Sequence, residues 1–205
     1  MLPRLCLTLF LVPSLAFASP TRAALRKAFE VASPSVLEVV GPRRSGAGVV
    51  VSADGHVVTS VDYVSLEEAQ VRLSDKTLSA KVVAADGRLK VAVVKLAPED
   101  APYRATAVRL SETARAGELL VAVTRKKGNS PAPTVTQVTR AADEKTPFIE
   151  AAHLFPPGSP LFDGKGRLVA VAVGRRGKRT HALPVTAIKT LLEAAARLPS
   201  AKARP

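Results

Sequence analysis

Apolar residues along this chain recur with two different periods. Between residues 21 and 32, Leu25, Ala28, Phe29 and Ala32 fall at helical spacing until Ser33-Pro34 ends the run, which predicts one short amphipathic helix. From Val36 to about Val173 the pattern changes to short β-branched runs with period-two stretches, among them Lys81 to Val83, Val91 to Leu96, Leu119 to Val123 and Thr134 to Thr139. Runs of this kind predict strands. Asp54-Gly55, Asp86-Gly87 and Asp163-Gly164 punctuate them, and the first and third lie between apolar runs, where a tight hairpin turn calls for positive φ. Helical spacing returns from about Val185 to Leu198, with Val185, Ile188, Leu191, Leu192 and Ala195 on one face, Pro184 at the start and Pro199 beyond. The residues from 199 to 205 read as a loose, disordered tail. Many short strands with turn signals make an all-β sandwich or a pair of barrels.

The first eighteen residues belong to neither pattern. Arg4 is followed by an apolar stretch from Leu5 to Phe17, and Ala16-Phe17-Ala18 precedes Ser19, which reads as a signal peptide over residues 1–18 with a small-residue cleavage site. The stretch is too short for a permanent membrane anchor, and an Arg-rich segment beginning at Arg22 follows it. The expectation is therefore an exported, soluble chain, periplasmic or secreted, that begins near Ser19. Cys6, the single cysteine, lies in the removed segment without the Leu-Ala-Gly type of sequence that a lipoprotein peptidase needs, so no disulfide is expected.

Taking 18 residues from 205 leaves 187, enough for one domain of two small sub-cores. Loss of Arg4 lowers the formal charge from +13 to +12. A basic exported protein is drawn to anionic surfaces such as lipid headgroups or envelope glycans. The basic residues are scattered, with no long basic helix and no aromatic stacking platform, so specific nucleic-acid binding is not expected. There is no heptad run, no fixed repeat and no Gly-rich phosphate loop. His56, His153 and His181 share no metal-ligand spacing, and no metal or cofactor is expected.

The run Gly46-Ala47-Gly48-Val49-Val50-Val51-Ser52-Ala53-Asp54-Gly55-His56-Val57-Val58-Thr59 closely resembles the first-barrel hairpin of HtrA-type serine proteases. Other segments resemble the same family in the same order: Ser33-Pro34-Ser35-Val36 at the entry to the barrel, Val71 to Asp75 with Ala80 to Val83, Asp86 to Leu96, Ala116 to Val123, Phe148-Ile149-Glu150, Gly164 to Val171, and Ala182-Leu183-Pro184-Val185 before a helix. The resemblance covers residues 33–198. It implies a trypsin-like double antiparallel β-barrel, with an entry helix over residues 19–34, barrels over about 35–100 and 112–183, and a closing helix over 185–198 packed against the second barrel. The PDZ module that many members carry is not expected, since no residues remain after Pro205 to form it.

Such a family needs a hydroxyl nucleophile, an imidazole base, a carboxylate that orients the base, and backbone amides that hold the oxyanion. The family's imidazole follows the Thr of the first hairpin by three residues, and here Thr59 leads to Asp62. The orienting Asp precedes the apolar strand ending at Leu96, and here Lys90 takes that place. The nucleophile belongs in a Gly-Asn-Ser-Gly-Gly-Pro loop, where this chain runs Pro156-Pro157-Gly158-Ser159-Pro160-Leu161. The loop reads as shortened, with Ser159 in place of a glycine. Pro160 fixes φ and removes the next donor, so no pair of amides is expected to converge beside Ser159 Oγ. No triad is intact, and Asp62 and Lys90 are expected to form an ion pair or else to project separately into solvent. Three functional classes follow: a non-catalytic module holding a peptide or protein partner in the inter-barrel groove, an active endopeptidase with a rearranged site such as Ser159 with Lys90, and a binder of anionic envelope surfaces through Arg125-Lys126-Lys127 and Arg175-Arg176-Gly177-Lys178-Arg179.

Overall fold

Helix α1 (Arg22–Ala32) starts where Thr21 accepts a hydrogen bond from the Ala24 N–H through its side chain, and it buries Leu25, Ala28 and Ala32. The computed structural model describes residues 20–197 other than 66, 74–75, 99–101 and 126–129. Residues 1–18, expected to form a signal peptide, together with Lys126, Lys127 and the tail from residue 199, lie outside the described residues. Six strands follow α1: β1 (Val36–Val40), β2 (Ser45–Val50), β3 (His56–Ser60), β4 (Glu68–Leu73), β5 (Lys76–Asp86) and β6 (Val91–Leu96). They close into a barrel in the order β1-β2-β3-β6-β5-β4. A second six, β7 (Leu119–Thr124), β8 (Ala132–Arg140), β9 (Ile149–Ala151), β10 (Pro160–Phe162), β11 (Leu168–Arg176) and β12 (Arg179–Pro184), close in the order β10-β11-β12-β9-β8-β7. Every strand pair inside the two barrels is antiparallel.

The central strands read as almost unbroken apolar runs because both of their faces are buried. In β6, Val94 and Leu96 fill the first barrel while Val91 and Val93 join a different cluster that contains side chains of both barrels. In β7, Leu120 and Ala122 fill the second barrel, and Val121 and Val123 point to that shared cluster. Three apolar cores result, two inside the barrels and one between them. Val36, Ala47, Val49 and Val58 meet Phe162, Val171, Val173 and Leu183 in the shared one.

Turn chemistry departs from expectation at one of the two hairpins. Gly55 has the positive φ (91°) expected of the β2–β3 hairpin, but between β10 and β11 the positive φ falls on Gly166 (77°), two residues beyond Gly164. In the β5–β6 connection it falls on Lys90 (57°) rather than on Gly87. The closing helix also corrects the expectation. Helix α2 spans Lys189–Arg197, because Pro184 still belongs to β12 and the Val185 N–H still donates to the Val169 carbonyl (2.9 Å). Packing of the buried Val185 and Ile188 outweighs the helical spacing over those residues. Helix α2 lies against β5 and β6 of the first barrel, not against the second, whereas α1 lies against β7 and β10 of the second. Among the described residues, no helix is long and apolar enough to cross a membrane.

Candidate functional site

The loop before β10 can be read by asking where each of its N–H groups goes. The Phe155 N–H donates to Thr180 Oγ1 (2.8 Å). Pro156, Pro157 and Pro160 have no N–H. The Gly158 N–H donates to the Ala172 carbonyl (2.7 Å) and the Ser159 N–H to the Pro156 carbonyl (3.3 Å). From Phe155 to Pro160, every backbone donor is therefore committed to the second barrel itself. Gly158, at φ 78°, docks the loop on the first barrel: a Cβ there would stand 2.3 Å from the Ala47 carbonyl oxygen and 3.2 Å from Thr59 Oγ1. Ser159 is 1% exposed. Its Oγ has no hydrogen-bond partner, and its carbonyl accepts from the Ala172 N–H (2.8 Å). The hydroxyl is sealed in rather than presented to a groove.

Across the junction, β3 ends with buried Thr59 and Ser60. Thr59 Oγ1 donates to the Ala47 carbonyl (2.9 Å), and Ser60 Oγ accepts from the Asp62 N–H (3.2 Å). The Asp62 carboxylate is held by Arg44 Nη2 at 2.5 Å, and the Arg44 guanidinium lies 5.7 Å from the centre of the Tyr63 ring. Burial pushes the Tyr63 phenol up from its ordinary range, with the Arg44 charge opposing and the Asp62 charge adding. The expected Asp62–Lys90 ion pair is absent among the described residues. Arg44, from the β1–β2 turn, occupies the carboxylate instead. Lys90 touches this region through its carbonyl, which accepts from the Val61 N–H (3.3 Å), and the residue itself is exposed.

None of the described hydrogen bonds joins a histidine to Ser159. His153 Nδ1 lies 3.2 Å from Thr136 Oγ1, and His181 Nε2 lies 3.5 Å from Glu150. His56 is buried in the β2–β3 hairpin, with Nδ1 2.8 Å from Ser52 Oγ and 3.2 Å from Asp54 Oδ1. This trio has the residue types of a catalytic triad with a different wiring. A proton relay needs the hydroxyl on one ring nitrogen and the carboxylate on the other, and here both share Nδ1. Burial would push the Asp54 carboxyl up, but Lys95, Ser52 and His56 together hold it well below the usual carboxylate range. The trio ties down the turn. Sequence reasoning treated His56 only as an isolated residue; the alternation Ser52-x-Asp54-x-His56 around a turn was the available signal.

Residues 46–171 match the family described as the trypsin-like peptidase domain. A probable periplasmic serine endoprotease, DegP-like, of Ectopseudomonas mendocina is 32% identical over 163 residues, which cover 71% of this chain and 34% of that protein. The corresponding protein of Pseudomonas putida is 34% identical over 138 residues, covering 62% of this chain and 28% of that protein. This chain thus spans about a third of the length of the curated relatives it matches. Two solved structures share the fold. The serine endoprotease from Yersinia pestis aligns with a TM-score of 0.73 at 19% identity, over 88% of this chain and 68% of that one. Rv3671c from M. tuberculosis, crystallised in an inactive form, aligns with a TM-score of 0.69 at 22% identity, over 89% of this chain and 98% of that one.

Proposed function

Since the chain belongs to the trypsin-like peptidase domain family, we propose that it is a member without catalysis, exported from the cytoplasm, which uses the double-barrel scaffold to hold a peptide or protein partner. The observation that carries this reading is the donor accounting of residues 155–160, where no amide is left for an oxyanion. An acyl-transfer enzyme needs such donors aimed at the developing charge. The remaining positions support the same reading. With Gly158-Ser159-Pro160 laid over the closing Gly-Gly-Pro of the family loop, the residue in the nucleophile's place is Pro157, and no shortening of the loop is required. Proline has no hydroxyl to activate. At the base position, Asp62 is neutralised by Arg44. At the orienter position, Lys90 carries the opposite charge and is exposed. The scaffold meanwhile keeps three apolar cores.

Export rests on the signal-peptide pattern and on the periplasmic relatives. The purified chain is expected to leave casein and fluorogenic peptides uncut, to resist fluorophosphonate labelling, and to behave identically after Ser159→Ala. Labelled casein-derived peptides are expected to bind saturably without turnover. Hydrolysis that disappears in Ser159→Ala would establish the endopeptidase reading instead.

A further inference from the structure

The basic residues of the β11–β12 turn are exposed, and two of them reach back to a buried carboxylate. Glu150 on β9 stands opposite Arg140 of β8 and His181 of β12 in the strand register. Arg176 and Arg179 face each other across the Gly177-Lys178 turn that joins β11 to β12, a turn made tight by Gly177 at φ 59°. All four partners converge on one carboxylate that is 8% exposed: Arg179 Nη1 at 3.2 Å, Arg140 Nη2 and His181 Nε2 at 3.5 Å, and Arg176 Nη1 at 3.9 Å. Phe148 stacks on the His181 ring with centroids 5.6 Å apart, which fixes that wall. Burial would push the Glu150 carboxyl up, but the Arg179 hydrogen bond, the Arg140 charge and His181 hold it below its ordinary value.

Three guanidinia and an imidazole bring more N–H groups than the roughly four lone-pair sites of one carboxylate can take. Arg179 makes a well-formed hydrogen bond to it, whereas Arg140 Nε, Arg140 Nη2 and His181 Nε2 are buried with no hydrogen-bond partner. Arg140, Glu150, Arg176, Lys178 and Arg179 line an open cavity of about 470 Å³. Its walls carry four fixed positive charges against one negative. Guanidinium forks match the geometry of tetrahedral oxyanions, and an ammonium adds a point charge.

We propose that this cavity is a binding site for a phosphate-type oxyanion, with Arg140, Arg176, Lys178 and Arg179 as donors and Glu150 as the tether that holds the guanidinia together. The ligand oxygens take the exposed groups of Arg176, Lys178 and Arg179 that Glu150 leaves unused. The site lies on the second barrel and stands whether or not the domain hydrolyses peptides. Its phosphate comes either from a small free ion or ester, or from the headgroup of an anionic phospholipid.

Inorganic phosphate titrated into the full chain at low salt, followed calorimetrically, is expected to give saturable one-to-one binding. Loss of one charged hydrogen-bond donor should weaken it about tenfold or more, so Arg179→Gln and Arg140→Gln should each do so. Arg179→Lys keeps the charge but removes the fork, and should also weaken binding. Arg175→Gln makes the same change of charge on the same hairpin outside the cavity and should leave affinity unchanged. Flotation with phosphatidylcholine vesicles, with and without phosphatidylglycerol, separates the sources: retention on the anionic vesicles that is lost in Arg179→Gln identifies a headgroup, and phosphate binding without retention identifies the free ion. Equal weakening by all these Arg→Gln changes, Arg175→Gln included, or no phosphate binding by a wild type that melts cooperatively, would overturn the site.

Discussion

A buried hydroxyl without a partner costs about 1–3 kcal/mol of desolvation relative to one that water or protein satisfies. Ser159 Oγ is in that position, so Ser159→Ala is expected to leave stability unchanged or to raise it by up to that amount in denaturant melts. A clear loss would mean that the hydroxyl is bonded in solution. That Ser159 is followed by a residue without an N–H was legible in the sequence. The sealing of Ser159 was not legible, because it depends on Gly158 and Ser159 exchanging backbone hydrogen bonds with Ala172, and no local pattern reports such long-range bonds. The same applies to Asp62. Opposite charges at two positions expected to touch suggested a partner in Lys90, but partner choice was decided by Arg44, eighteen residues upstream, which gains the Tyr63 ring as well as the carboxylate. The left-handed backbone of Lys90 was also hidden, since lysine gives no sign of positive φ in the way that glycine does.

Each strand of the first barrel carries its side chains into a confined interior, and the hairpin glycines show how little room is left there. A Cβ on Gly46 would stand 2.1 Å from the Tyr63 ring, and one on Gly48 would stand 2.7 Å from Val39 Cγ2. Gly46 and Gly48, inside β2, therefore serve close approach. Gly46→Ala is expected to cost about 1–3 kcal/mol by overpacking. Combining it with Tyr63→Leu should give a smaller loss than the two single changes added together, because the shorter side chain frees the space. Additive losses in denaturant melts would mean that the ring is not what excludes a side chain at position 46. Strand identity was readable along most of the chain because β-branched runs and turn residues speak locally. The start of α2 was not, because Val185 and Ile188 obey helical spacing while serving a sheet hydrogen bond and the shared core.

The two barrels are joined by more than the linker between β6 and β7. Helix α1 precedes the first barrel in sequence but packs on the second, and α2 follows the second barrel but packs on the first, so each terminal helix grips the barrel it is not continuous with. The shared core draws residues from both barrels and both helices. Arg125 Nη1 donates to the Val36 carbonyl (2.8 Å) across the junction, and Gly158 seats the second barrel against Ala47. The sequence pattern could count two sub-cores, but the crossing of the helices was invisible to it, since an amphipathic face names no recipient. A large apolar interface of this kind makes separate unfolding of either half unfavourable. The chain has two tyrosines and no tryptophan, and both Tyr63 and Tyr103 pack in the core of the first barrel. Tyrosine fluorescence therefore reports that barrel alone, while far-UV circular dichroism reports both. The two signals are expected to follow one denaturant transition with the same midpoint. Phe162→Ala, a change in the second barrel's β10 at the shared core, should lower that midpoint in both signals together, by a loss of about 3–5 kcal/mol for a truncated buried aromatic ring. A fluorescence transition that stays in place while the dichroism shifts or splits would mean that the barrels unfold separately and that the crossed helices do not couple them.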